Sequence, residues 1–131
     1  MMRPADRRPP QVGAEYRFAG WRLDLLHREL WRPDGRPLDL TLGELALLCA
    51  LAQNPQRVLG RDQLAGLARR RGGEPLDRSV DVQVSRLRHK LSEGDPAAPE
   101  LIRTLRGQGY MFMPQVTFVA GLGRQALIPP P

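Results

Sequence analysis

Hydrophobic and polar positions along this chain change their period three times. From Tyr16 to Leu40 the segments "YRFAG", "WRLDL", "ELWR" and "PLDL" alternate apolar with polar residues, broken by turn chemistry such as "PDG" at Pro33 to Gly35. This predicts an antiparallel meander of three or four short strands, with Phe18, Leu23, Leu25, Leu30 and Leu38 facing inward. Thr41 then opens "TLGELALLCALAQNP" with a capping box: its hydroxyl can accept from the Glu44 amide while the Glu44 carboxylate accepts from its own amide. The helix that follows has almost no polar face, because Leu42, Leu45, Leu47, Leu48, Cys49, Leu51 and Ala52 surround it. It must be covered on most sides, and Asn54-Pro55 stops it. A second, shorter helix is predicted from about Arg61 to Ala68, with Asp62 and Gln63 in its first turn and Gly60 as a weak cap.

The stretch "SVDVQVSRLRHKL", Ser79 to Leu91, carries two periods at once. Val80, Val82 and Val84 alternate as in a strand, whereas Val80, Val84, Leu87 and Leu91 form one helical stripe. Helix is preferred on three grounds: Asp77 is a good N-cap, the stripe runs three turns without Gly or Pro, and a strand would end at Ser85 without a turn signal. At ~100° per residue the four stripe residues lie within roughly 60° of one another, and Arg78, Val82, Arg86 and His89 lie nearly opposite. Val82 is thus an apolar residue left outside the core. Finally "LIRTL" and "YMFMPQV" flank "RGQG", a hairpin with glycines at the tight positions. The expected class is α+β: an N-terminal antiparallel sheet, three helices and a C-terminal β-hairpin. Residues 1–15 read as a flexible arm, 16–114 as the domain and 115–131 as a tail, in which Val116 to Val119 either adds an edge strand or serves a partner.

Composition narrows the chemistry. The 131 residues suffice for one core, and 20 Lys plus Arg against 14 Asp plus Glu give +6, nearly all of it arginine, which suits phosphates and guanine edges. The single cysteine, Cys49, excludes an intrachain disulfide and a cysteine-only metal cluster. No apolar run approaches the roughly 20 residues of a membrane span, and the N-terminus lacks the core of a secretion signal, so a cytoplasmic protein is expected. An enzyme is not: His27 and His89 sit in different elements without a Cys or carboxylate constellation, and no cofactor or metal is expected. RNA binding is disfavoured by the scarcity of aromatics for stacking.

What remains is duplex DNA. From Arg78 to Lys90 the predicted third helix carries Arg78, Arg86, Arg88 and Lys90 against one acid, Asp81. Such a helix fits a major groove, where arginine pairs with guanine and a valine methyl packs on the thymine methyl. Arg106, at the hairpin tip, suits a narrow minor groove of enhanced negative potential. Helix plus ribbon is a winged helix-turn-helix.

"LTLGELALLCALAQNPQRVLGRDQL", "RSVDVQVSRLRHKL" and "LIRTLRGQGYMF" resemble the winged-helix DNA-binding domain of the OmpR/PhoB type, the effector half of many bacterial response regulators. The resemblance runs from about Tyr16 to Phe112. It implies that the third helix, 78–91, is the recognition helix, with Ser79, Val82 and Arg86 at base edges and Arg78, Gln83, Ser85 and Arg88 at phosphates. Thr104 would touch the backbone and Arg106 the minor groove. The loop carrying Arg69, Arg70, Arg71 and Glu74 would be the segment through which such regulators touch the sigma or alpha subunit of RNA polymerase, and head-to-tail dimers on direct repeats, within the nucleoid, are implied. Gln83 stands where a histidine is common, and the basic loop lacks the usual aromatic. No receiver domain precedes the effector, so the chain is either a fragment or a free-standing regulator. The competing function is a protein-interaction module acting on polymerase or another transcription factor.

Overall fold

The computed structural model describes residues 14–70, 79–120 and 125–126. Four strands open the fold: β1 (Glu15–Phe18), β2 (Trp21–Asp24), β3 (Glu29–Trp31) and β4 (Pro37–Leu38). Each reversal has its own chemistry. Ala19 and Gly20 both take positive φ, 48° and 86°, the two-residue hairpin geometry whose twist matches right-handed strands. At the next turn Asp24 Oδ1 accepts from the amides of Leu26 and His27. At the third, Asp34 Oδ1 accepts from the Arg36 amide and Gly35 adopts φ 88°.

Helix α1 (Leu42–Gln53) starts with both halves of the predicted capping box formed: the Glu44 amide donates to Thr41 Oγ1 at 3.1 Å and the Thr41 amide to Glu44 Oε1 at 2.9 Å. From Glu44 to Gln53 every residue is buried, as its wrap-around apolar surface requires. Strand β5 (Val58–Leu59), α2 (Arg61–Arg70) and α3 (Val80–Gly94) follow. The N-cap of α3 is Ser79, whose Oγ accepts from the Val82 amide, so the expectation of Asp77 is corrected: Ser79 is the residue with extended backbone immediately before the first helical turn. The helix also continues past Leu91 to Gly94, because no residue in between breaks it. Gly94 lets that end pack closely: a Cβ there would lie 2.5 Å from the Trp21 ring.

A short 3-10 turn (Ala98–Leu101) leads into the hairpin of β6 (Ile102–Leu105) and β7 (Gly109–Phe112). Strand β5 pairs with β7, so the wing is a three-stranded sheet, β5-β7-β6, tied to the connection between α1 and α2. Beyond Pro114, where a tail was expected, β8 (Thr117–Val119) pairs antiparallel with β1 and β9 (Gln125–Ala126) pairs with β8. The first sheet therefore has six strands, β4-β3-β2-β1-β8-β9.

The core lies between this sheet and the helices. Phe18, Leu23 and Leu30 are buried as predicted, while Leu25 and Leu38 are only partly buried at its margin. Tyr16 and Trp21 are buried too, which the alternation count missed because bulky aromatics at strand ends dominate packing wherever they can reach it. Phe18 meets Phe112 edge to face at 4.9 Å, joining the two sheets. Glu15, 2% exposed, is neutralised by Arg17 at 2.6 Å and Arg22 at 3.4 Å. His27 does have a carboxylate neighbour, contrary to expectation: its Nδ1 lies 2.9 Å from Asp24 Oδ2, because the turn folds residue 27 back over residue 24. Among the described residues no helix is long and apolar enough to cross a membrane.

Candidate nucleic-acid interface

Helix α3 is amphipathic in the sense predicted. Val80, Val84, Leu87 and Leu91 are buried against the helical core. Ser79, Asp81, Val82, Ser85, Arg86 and His89 are exposed, with Gln83, Arg88 and Lys90 half-buried along the flanks. Val82 is 37% exposed, so it does lie outside the core.

The charges on this helix are less free than the sequence suggests. Lys90 Nζ donates to Glu44 Oε1 at 2.6 Å, linking α3 to the start of α1. Burial tends to raise the Glu44 carboxyl, but hydrogen bonds from Lys90 and Thr41 outweigh it, and the group is held below its ordinary range. Asp81 accepts from Arg61 Nε at 2.9 and 3.1 Å and from the Tyr110 hydroxyl. The Tyr110 hydrogen bond, followed by Arg61, depresses the Asp81 carboxyl, and burial together with that same bond raises the Tyr110 phenol. One acid thus fastens the first turn of α2, the first turn of α3 and strand β7 to one another.

Arg88 forms the second fastening. Its Nε and Nη2 donate to the Ile102 carbonyl at 3.1 and 2.6 Å, and Nη2 also donates to Thr104 Oγ1 at 2.7 Å. The guanidinium sits 5.6 Å over the Tyr110 ring. Two residues assigned to phosphates, Arg88 and Thr104, are therefore bonded to each other across the helix and the wing. Burial lowers the Arg88 pKa without discharging it. Arg86, by contrast, makes no hydrogen bond or ion pair with another described residue, and neither does Arg106, exposed in the turn between β6 and β7. The wing turn depends on Gly107 at φ 75° and Gly109 at φ 137°; at Gly109 a Cβ would lie 2.0 Å from the Leu59 carbonyl oxygen.

Arg69 and Arg70 are exposed in the last turn of α2. Arg71, Glu74 and Arg78 lie outside the described residues. Sequence reasoning missed Arg61, Tyr110 and the Lys90–Glu44 pair, since nothing in the local pattern tells which charges meet across 20 to 46 positions of chain. A phenol following two closely spaced glycines was the one available signal for Tyr110.

Two antiparallel sheets around three helices, with a helix presented outward beside a glycine-tipped hairpin, form a winged helix-turn-helix. The family described as transcriptional regulatory protein, C terminal, matches residues 35–112, more than half of the chain. The chain belongs to this OmpR/PhoB-type family. This is a family of transcription regulators and not of enzymes. The regulatory protein VirG of Agrobacterium fabrum (strain C58) is 48% identical over 97 residues, 74% of this chain and 38% of VirG, so the chain spans about two fifths of that relative. Among solved structures, the RstA DNA-binding domain of Klebsiella pneumoniae in complex with the RstA box is 31% identical with a TM-score of 0.61, covering 76% of this chain and 96% of that one. The DNA-binding domain of E. coli CadC is 28% identical with a TM-score of 0.64, covering 81% of this OmpR/PhoB-type chain and 96% of that one.

Proposed function

We propose that this chain is a sequence-specific, double-stranded DNA-binding transcriptional regulator of the cytoplasm, with α3 in the major groove and Arg106 in the adjacent minor groove. The observation that carries the reading is the pair Val82 and Arg86: one exposed methyl-bearing residue and one guanidinium without a partner among the described residues, on a helix whose other side is fixed in the core. Ser79, Val82 and Arg86 read base edges. Arg78, Gln83, Ser85 and Thr104 meet phosphates, and Arg88 does so through Nη1, which its bonds to the wing leave uncommitted. Family membership and the RstA complex support duplex DNA as the partner. Contact with RNA polymerase through Arg69 to Glu74, and head-to-tail pairing on direct repeats, belong to the same proposal.

The test is selection of a preferred duplex from a random pool, followed by fluorescence anisotropy against that duplex and a scrambled one. Arg86→Ala is expected to cost about 1–3 kcal/mol on the preferred duplex and to narrow the gap to the scrambled one. A chain that selects no sequence and ignores duplexes at low salt, yet captures polymerase, would support a protein-interaction module instead.

A further inference from the structure

A cavity of about 340 Å³ opens among the β2–β3 turn, α1 and the end of α2, and shares no residue with the face formed by α3 and the wing. Its apolar wall consists of Leu25 from the turn and Leu45, Ala46 and Cys49 from α1, the last three 5%, 3% and 9% exposed. Its polar lining among the described residues is Asp24, Arg28 and Arg70. The volume lies within the range of about 300–1,000 Å³ typical of small-molecule pockets, which are mostly apolar with a few convergent polar groups.

The polar groups are unequal. Both Asp24 oxygens are engaged, Oδ1 by the amides of Leu26 and His27 and Oδ2 by His27. Neither Arg28 nor Arg70 has a hydrogen bond or ion pair with another described residue. Two arginines therefore line one hollow of mixed polar and apolar lining, and among the described residues its one carboxylate, Asp24, already serves the turn. Arg28 lines the hollow from a left-handed backbone, φ 55°, a conformation that side-chain-bearing residues seldom adopt.

We propose that this cavity is a binding site for a small amphipathic monoanion, its flat apolar body against Leu25, Leu45, Ala46 and Cys49 and its carboxylate between Arg28 and Arg70. Arginine forks match carboxylates with two parallel hydrogen bonds, and the adjoining apolar wall strengthens them by excluding water. A neutral ligand of the same shape keeps only the wall contact. An inorganic anion keeps only the forks.

The experiment is an amide-resolved NMR titration of the whole chain with three separate probes: naphthalene-2-carboxylate, naphthalene-2-carboxamide and sulfate. The carboxylate is expected to give saturable shifts at Leu25, Arg28, Ala46 and Cys49, with the carboxamide and sulfate each at least about ten-fold weaker. Arg28→Gln and Arg70→Gln, both at exposed side chains, should each weaken the carboxylate about five-fold, with circular dichroism confirming that they fold. The site is refuted if the carboxamide or sulfate matches the carboxylate, if no saturable shift occurs at those four amides, or if neither arginine substitution changes the affinity.

Discussion

Arg88 has two roles that a pair of substitutions can separate. Its fork makes two bonds to the Ile102 carbonyl and one to Thr104 Oγ1, at 2.6 to 3.1 Å. A hydrogen bond from a charged donor contributes about 1.5–3 kcal/mol, and the two sharing one carbonyl count as little more than one. Because Arg88 is half-exposed, the low end applies, and Arg88→Ala should lower stability by about 2–3 kcal/mol. For a domain of this size that is a fall of about 10 °C or more in melting temperature. Arg88→Lys keeps the charge but not the fork, reaches one acceptor at best, and should lose about half as much. DNA affinity separates the second role. Each neutralised phosphate adds about 0.9 to the steepness of log affinity against log salt. Arg88→Ala should lower the steepness by about that amount, while Arg88→Lys leaves it unchanged. Thermal unfolding by circular dichroism and anisotropy titrations across salt concentrations read the two effects. An Arg88→Lys protein as stable as the original would refute the fork, and an unchanged slope for Arg88→Ala would refute the phosphate contact.

Other expectations follow from the same contacts. Gly109→Ala must move a Cβ out of a 2.0 Å approach to the Leu59 carbonyl and at φ 137°, so β5 separates from β7; urea unfolding should show a loss of about 3 kcal/mol or more. Glu44 is depressed below its ordinary value of 4.5. A depressed acid contributes fully above its unfolded pKa and loses that contribution as pH falls through the folded one, so acid unfolding should draw on it below about pH 4.5. Lys90→Met removes the ion pair and leaves only the Thr41 bonds opposing burial, so the folded pKa rises toward the unfolded value and the acid-induced loss assigned to Glu44 should shrink. Tyr110→Phe removes the phenol hydrogen bond that does most to depress Asp81, and the NMR titration of the Asp81 carboxyl should move upward. About five neutralised phosphates would give the intact chain a log-log salt slope of about −4.5.

Much of this architecture was readable because local signals agreed. The capping box at Thr41 and Glu44, the unbroken stripe from Val80 to Leu91 and the glycines around Gln108 each specify a conformation within a few residues, and each is formed. The β5 strand was invisible, because two residues carry no period and pair only with β7 far along the chain. So was the return of β8 to β1, which the alternation of Val116 to Val119 left balanced against an unstructured tail. Side-chain partners were the least legible. Arg88, Lys90 and Arg86 look alike in sequence, but one braces the wing, one pairs with Glu44 at the start of α1 and one has no partner among the described residues, and only the tertiary fold distinguishes them.

The most direct test of the central claim is methylation interference on the selected duplex. A methyl group on guanine N7 lies in the major groove at the atom that an arginine fork would use. If α3 reads that groove through Arg86, N7 methylation at one guanine in each half-site will block binding of the original chain and have little effect on the weaker binding of Arg86→Ala. Binding that is indifferent to N7 methylation at every guanine of the site would contradict the account.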